Sequence, residues 1–345
     1  MNLIPKYISF LRENRTKGEA VKIYNQRLKD SKEIFKKFSS SFYKRSCPVC
    51  GNSETQKEKK FNNQYNISRC KYCASIFVNP TPSLDALNYY YNNCECNKQL
   101  GNLLKKRGKK GSIILSERCS EVYDIILKLL RKKKKISVLE VGCNSGSFLN
   151  DLSHQLVIKK KQKKVDLLGI DIDQNAIKNP VSKNLNLHHA SAEEFLSKKK
   201  KHFDLILHFE LIEHLQDPFT FCKTLRSLLN DNGFMYFHTP NILGLDNQSL
   251  SYNDFRPLAH GIFPPMHLNA FTTQNISHFL IRAGFKIENI ETPGNFDVDI
   301  VKNFVDRKNS FAIIKKRENL KYLAILQFII RKLHASSHMS VLAKK

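Results

Sequence analysis

No stretch of the 345-residue sequence is apolar for long enough to cross a membrane. The densest run, YLAILQFII (Tyr322 to Ile330), is less than half of the ~20 residues that a spanning helix needs. The opening MNLIPKYISFLRENR lacks the apolar core and small-residue cleavage site of a secretory leader, so a soluble or at most surface-bound chain is expected. Acidic residues are scarce, 31 against 57 Lys and Arg, which gives a formal net charge of +26. Such an excess suits an acidic partner, either nucleic acid or a membrane surface. A Lys- and Asn-heavy coding bias would produce it equally well. The nine cysteines are odd in number, and only four fall into pairs. That disfavours a disulfide framework and points to a reducing compartment, the cytoplasm, with peripheral attachment at the inner membrane surface as the alternative.

The two common phosphate-binding glycine patterns are also missing. In VLEVGCNSGSFLNDL (Val138 to Leu152) the glycines are Gly142 and Gly146, spaced G-x-x-x-G. A dinucleotide site needs G-x-G-x-x-G and a P-loop needs G-x-x-x-x-G-K-[ST]. Glu140, at the end of the preceding apolar run, would repel a pyrophosphate but suits an ammonium group.

Around this turn the sequence alternates between strand and helix. ISVLEV, VDLLGID, LNLHHA, FDLILHF and GFMYFHT read as strands, and helical stretches such as GSFLNDLSHQL and DPFTFCKTLRSLL lie between them. Strands joined by helical crossovers predict an α/β fold with a parallel, doubly wound sheet. TQNISHFLIRAG and FKIENIE add a further helix and strand, and HMSVLAKK a closing strand. Three lysine runs, Lys132–Lys135, Lys159–Lys164 and Lys198–Lys201, each stand just before a strand. They therefore fall at the amino-terminal edge of the sheet, whereas ligands of such folds sit at the carboxyl edge. They read first as solvated faces, with an anionic surface as the alternative.

At the carboxyl ends of the strands the residues form an ordered series: Glu140, Gly142, Cys143 and Gly146; then Asp171, 29 positions after Gly142; then Ala192 and Glu193 in ASAEEF; then HFELIEH. A carboxylate such as Asp171 can accept hydrogen bonds from both hydroxyls of a ribose. The series resembles that of class I S-adenosylmethionine-dependent methyltransferases over roughly Ser137 to Thr292. That resemblance implies a seven-stranded Rossmann-like sheet, mostly parallel with its last strand antiparallel, and S-adenosylmethionine as cofactor. It implies that Glu140, Gly142, Cys143 and Gly146 meet the methionine part and Asp171 and Ile172 the ribose. It further implies that Ala192 and Glu193 meet the adenine side, and that His208 and Glu210 line the cofactor near the methyl group. Two positions depart from the family: Asn144 where a middle glycine is common, and Ser191 where an acidic residue is common.

CPVC and CKYC place Cys47, Cys50, Cys70 and Cys73 as C-x₂-C, nineteen residues, C-x₂-C. This is the spacing of a zinc ribbon, and four thiolates leave a zinc ion no open position, so a structural role is expected. Bacterial methyltransferases of sugar and cell-surface polysaccharide modification are similar. They carry such a ribbon before the catalytic domain, an NP.PS stretch like VNPTPSLDALNYYY after it, and a PP.HL..F segment like FPPMHLNAF. The resulting organisation is a basic helical segment over 1–45, the ribbon over 46–82 and a helical linker over 83–131. The methyltransferase core follows over 132–292, then a basic helical excursion over 293–338 and the final strand over 339–345.

Transfer to oxygen gains from a positioned general base, and histidine has the right ordinary pKa. His267 is the first candidate for base or acceptor-orienting group, His214 the second and His260 the third. The expected reaction is methyl transfer to a hydroxyl of a small molecule or glycan, a sugar or nucleotide-sugar first. Two alternatives stand beside it. One is an RNA or DNA methyltransferase gripping phosphates with ribbon and lysines, against which no NPPY-like motif follows the fourth strand. The other is a non-catalytic binding protein that keeps the fold. The helical stretch Lys315 to His334 reads as packed on the core or a second subunit, with an anionic membrane as the alternative.

Overall fold

The computed structural model describes residues 17–99, 113–198, 201–245, 261–294 and 320–345. Its centre is a seven-stranded sheet built from β4 (Ile136–Val141), β5 (Val165–Asp171), β6 (Leu187–His189), β7 (Phe203–Phe209), β8 (Leu229–Pro240), β10 (Lys286–Glu291) and β11 (His338–Lys344). Their order is β10-β11-β8-β7-β4-β5-β6. β4 pairs in parallel with β5 and β7, and so do β5 with β6 and β7 with β8. β11 runs antiparallel to both of its neighbours, so the last strand in the chain is inserted next to the edge.

Both faces of the sheet are covered, and the strand alternation divides the side chains between them. Ile136 and Val138 of β4 with Leu205 and Leu207 of β7 pack beneath α3 (Ile113–Leu130) and α4 (Ser147–Ile158). Leu139, Val141 and Ile206 pack against the other layer: α6 (Ala192–Lys198), α7 (Pro218–Leu228) and α8 (Thr273–Arg282). Local chemistry starts the helices where the sequence changes character. Asp173 caps the short α5 (Gln174–Lys178), Asp217 caps α7 with Pro218 in its first turn, and Thr272 with Asn275 closes a reciprocal box on α8.

The Cys-bearing segment is a second sheet, and it is not free-standing. β1 (Thr55–Phe61), β2 (Tyr65–Cys70) and β3 (Ile76–Val78) form a meander whose fourth strand, β9 (Asn269–Ala270), comes from the segment that follows β8 of the large sheet. Cys47, Val49, Cys70 and Phe77 share one apolar cluster with Phe221, Phe271 and Phe279 of the large-sheet half. On its other side the small sheet packs with α1 (Lys17–Phe38), α2 (Leu84–Asn93) and residues 262–270 around Tyr65, Tyr90 and Phe263. The small sheet, its flanking helices and the 261–271 segment therefore fold as one layer against the large-sheet half.

The basic excursion ends in α9 (Leu320–Lys332), which buries Ile330 but leaves Ile325, Phe328 and Ile329 exposed, as is Leu333 just after it. Residues 315–319 of the predicted helix lie outside the described residues. No helix among the described residues is long and apolar enough to cross a membrane. Of the lysine runs, Lys132–Lys135 are exposed before β4 and Lys133 pairs with Asp204; Lys201 pairs with Asp166. Lys199 and Lys200 lie outside the described residues.

Candidate active site

The turn after β4 is held by its own neighbours. Gly142 and Gly146 have φ of 77° and 82°, and Asn144 takes the missing glycine's part at 50°. Asn is among the non-glycine residues that accept this region most readily. The backbone angle favours glycine at 146, and a Cβ there would lie 2.6 Å from Leu185 Cδ1, so that side chain would have to shift. The amides of Gly142 and Cys143 donate to Ile170 O, that of Gly146 to Cys143 O, and that of Asn144 to Asp171 Oδ2 at 2.7 Å. Ser145 N donates to Asn144 Oδ1. These amides already have acceptors, so the turn does not offer a nest for phosphate oxygens.

Glu140 lies under this turn, buried, and its Oε2 has no hydrogen-bond partner. Burial, and then the charge of Asp171, raise its carboxyl to about 8, against the pull of Arg118. A buried carboxylate oxygen without a donor fits a ligand carrying an ammonium group. Asp171 ends β5 with Oδ1 accepting from Asp173 N and Oδ2 from Asn144 N. Each oxygen has a lone pair left for a hydroxyl. Burial raises its pKa, and the backbone donors from Asp173 and Asn144 oppose the rise. Ile172 beside it is exposed, Ala192 is buried at the start of α6, and Glu193 is exposed. Ser191 proves to be a helix cap: its Oγ accepts from Glu194 N while Glu194 Oε2 accepts from Ser191 N. The residue that departs from the family pattern is thus committed to α6.

His208 requires a correction. It was expected to line the cofactor, but it points into the α7 face of the sheet with no accessible surface. Its ring stacks 4.4 Å from Phe237 and neither nitrogen has a partner. Burial lowers its pKa to about 3, so it is a neutral core residue. The alternation explains the error, since Leu207 and Phe209 face the α3 side and His208 between them cannot. Glu210, two residues on, does emerge at the carboxyl edge. It meets Arg118 Nη2 at 2.5 Å and His338 Nε2 at 3.4 Å. Burial opposes ionisation there, but the charges of His338 and Arg118 hold the carboxyl well below its usual range.

The acceptor-side candidates converge. His214 ends the single 3₁₀ turn Ile212–His214 after β7, and its ring centroid lies 4.7 Å from that of His267, edge to face. His267 is buried, and Glu213 between the two elements is 1% exposed. Tyr91 OH, from α2, lies 2.9 Å from His214 Nδ1. Burial lowers His214 to about 4, and burial with the Glu210 charge raises Glu213 to about 8. His260, the third candidate, lies outside the described residues.

The reason the two histidines meet is legible in the main chain. Leu268 N donates to Glu213 O at 2.8 Å, and the buried Asn269 Nδ2 donates to Leu215 O at 2.8 Å. Arg45, just before the ribbon, binds Gln216 O at 2.7 Å, Leu268 O at 3.1 Å and Asn269 Oδ1 at 2.8 Å. Sequence reasoning passed over Arg45, Asn269, Tyr91 and Arg118. Each makes a contact across more than 90 residues of chain, which no local pattern announces. The breaker-rich segment around Pro264 and Pro265 was the only available signal that this region crosses the site.

The four ribbon cysteines bring their sulfurs within 4.8 Å of one another, with Cys47–Cys73 and Cys50–Cys70 at 3.5 Å. Thiolates about 2.3 Å from a tetrahedral zinc ion stand roughly 3.8 Å apart, so the donor set and its spacing fit that ion.

Residues 114–290 match the model of a family described as a methyltransferase domain. The chain belongs to this methyltransferase family. Among curated relatives, a ubiquinone biosynthesis O-methyltransferase of Aromatoleum aromaticum is 27% identical over 108 residues, 30% of this chain and 44% of the relative. One of Pelagibacter ubique is 31% identical over 112 residues, 31% of this chain and 43% of the relative. The chain thus spans less than half the length of the curated relatives it matches. A solved S-adenosylmethionine-dependent methyltransferase of Archaeoglobus fulgidus superposes with a TM-score of 0.43 at 20% identity, over 71% of this chain and 99% of that one. The plantazolicin methyltransferase BamL, solved in complex with a triazolic desmethylPZN analog and SAH, gives 0.49 at 16% identity, over 75% and 93%.

Proposed function

We propose that the methyltransferase uses S-adenosylmethionine to methylate a hydroxyl oxygen of a small molecule, with a sugar or nucleotide-sugar as the acceptor. The observation that carries this reading is the spatial order at the carboxyl edge. The orphaned Glu140 oxygen and Asp171 stand on the neighbouring strands β4 and β5, and Glu210 and the Glu213, His214 and His267 group follow β7, which pairs with β4 on its other side. Glu140 would hold the ammonium of the cofactor, the Gly142–Gly146 turn its methionine chain, and Asp171 its ribose hydroxyls. Ile172, Ala192 and Glu193 would flank the adenine. The cofactor supplies an activated methyl group, so the protein's task is to align an oxygen with it and to take up the hydroxyl proton. His267 and His214 are the groups that would orient and deprotonate that hydroxyl.

Cys47, Cys50, Cys70 and Cys73 would hold a structural zinc ion, which would fix the small sheet and, through β9, the segment carrying His267. A phenolic acceptor is the second reading, supported by the curated relatives named as ubiquinone biosynthesis O-methyltransferases. The test is incubation with methyl-labelled S-adenosylmethionine and separate nucleotide-sugar, phenol, lipid and RNA pools. Label in the nucleotide-sugar pool is the expected result. Label confined to phenols selects the second reading, and label in RNA overturns both.

A further inference from the structure

We propose that Glu213, His214 and His267 form a second metal site, separate from the cysteine cluster, that binds a divalent first-row cation through two imidazoles and one carboxylate. One ligand atom from each of the three lies within 4.8 Å of the others. Two nitrogens and one oxygen from protein leave coordination positions open, which is the arrangement of a reactive metal centre. Four thiolates leave none.

The surroundings are those of ligands held ready. Glu213 Oε2 accepts from Thr239 Oγ1 at 2.9 Å, in a fully buried contact. The other oxygen, Oε1, is buried without a hydrogen-bond partner and stands 3.6 Å from His214 Nε2. That separation is too long for a direct hydrogen bond, and it leaves the carboxylate and the imidazole facing one another across a gap. His214 has its other nitrogen, Nδ1, on Tyr91 OH at 2.9 Å. An outer partner of this kind fixes the ring orientation of a ligating histidine. The backbone is fixed as well, because Leu268 N, next to His267, donates to Glu213 O. A buried carboxylate oxygen without a donor is costly, and a cation in the gap would satisfy it.

The consequence for catalysis rests on the methyl-transfer reading above, with the direct histidine base replaced: the ion, and not a free nitrogen of His214 or His267, would receive the acceptor hydroxyl, lower its pKa and orient it. Cation binding itself does not depend on that reading.

The test uses the full chain with its cysteine cluster loaded with zinc, titrated with Mn²⁺ and followed by the electron paramagnetic resonance of the free ion. About one Mn²⁺ per chain is expected, with binding lost in Glu213→Gln and His267→Ala. Tyr91→Phe, which removes only the outer partner, should bind Mn²⁺ about 10-fold more weakly and guards against misfolding of the other two. No Mn²⁺ bound by the wild-type chain, or equal binding by all variants, overturns the site. Calorimetry with S-adenosylmethionine on the same samples is read separately. A chain that binds Mn²⁺ but no cofactor keeps the metal site and removes the methyl-transfer reading.

Discussion

The amide of Asn144 donates to Asp171 Oδ2 at 2.7 Å, so the turn after β4 is fastened to the end of β5 by the carboxylate proposed to hold the ribose. One residue therefore does two things. It shapes the turn that would wrap the methionine chain, and it would present its remaining lone pairs to the nucleoside.

Asp171→Ala should weaken S-adenosylmethionine binding by roughly 30- to 150-fold. Charge-assisted hydrogen bonds are worth about 1.5–3 kcal/mol each, and here some compensation by water is expected, for a net loss of about 2–3 kcal/mol. Asp171→Asn, which keeps one acceptor oxygen, should fall between. Titration calorimetry measures both, and an affinity within twofold of wild type for the Ala variant removes the ribose assignment.

Glu140 makes cofactor binding depend on pH. An unfolded glutamate ionises near 4.5, whereas burial and the Asp171 charge raise the folded one to about 8. Between those values the folded chain holds a proton that the unfolded chain lacks, so Glu140 lowers fold stability as pH rises through that window. An ammonium ligand needs the ionised carboxylate. Affinity should therefore rise with pH up to about 8, approaching tenfold per unit below it, with about one proton released on binding near pH 7. Calorimetry in buffers of different ionisation enthalpy counts that proton. The Glu140→Gln variant should bind weakly and with a flat profile, and a variant that retained the wild-type slope would contradict the assignment.

What could be read from the sequence was whatever is written locally. The strand and helix periods, the G-x-x-x-G turn and the cysteine spacing are short-range signals, and each has its physical counterpart in β4, Gly142, Gly146 and the four clustered sulfurs. What was not written locally is how the layers join. Nothing in Asn269–Ala270 announces that two residues after the large sheet's β8 will complete the ribbon's sheet. Arg45 reads as one more basic residue in a basic chain. His208 was misjudged because motif order gives position along a strand but not the face, and one residue of offset separates the core from the site.

His208 should be replaceable to advantage. Both ring nitrogens are buried without partners, and burial lowers the pKa to about 3 against an ordinary 6.5. Between these values the unfolded chain binds a proton that the folded chain does not, so His208 removes stability as pH falls below about 6.5. His208→Leu should raise the melting temperature by a few degrees at pH 7 and by more at pH 5, with cofactor affinity unchanged. A loss of affinity in the folded variant would return His208 to the cofactor site.

Arg45→Ala should couple stability to the acceptor side. The guanidinium holds Gln216 O, Leu268 O and Asn269 Oδ1 together, and burial lowers its pKa only to about 10, so it stays charged at neutral pH. Leaving those oxygens without a donor should cost about 2–4 kcal/mol. Chemical denaturation measures the loss. Because His267 stands one residue before Leu268, methyl transfer should fall further than cofactor affinity does. A variant that lost both in equal proportion would place Arg45 in general stability alone.

Removing the metal from the cysteine cluster should separate acceptor-side function from cofactor binding. Cys47 and Cys70 are buried in the same apolar cluster as Phe271 and Phe279, and β3 pairs with β9 at Ile76–Ala270 and Phe77–Asn269. Without a bridging ion the four sulfurs are joined only by weak contacts, Cys47–Cys73 and Cys50–Cys70 at 3.5 Å and Cys73 to Ser75 Oγ at 3.1 Å among them, and the small sheet loses its fixed corner. Its side-chain contacts with the large-sheet half include Arg45, Arg282 to Val49 O at 2.9 Å and Asn275 to Ser75 Oγ at 3.3 Å, which would remain without the ion. Glu140, the Gly142–Gly146 turn and Asp171 stand on the far strands β4 and β5, which the small sheet does not touch through β9. A strong chelator should therefore release zinc and about four titratable thiols, lower the melting temperature, and suppress methyl transfer, while S-adenosylmethionine binding stays within a few-fold of the untreated protein. Cys73→Ser should do the same at lower chelator concentration. If chelation abolishes cofactor binding along with transfer, the ribbon supports the whole catalytic half and the proposed division of labour between the two sheets is wrong.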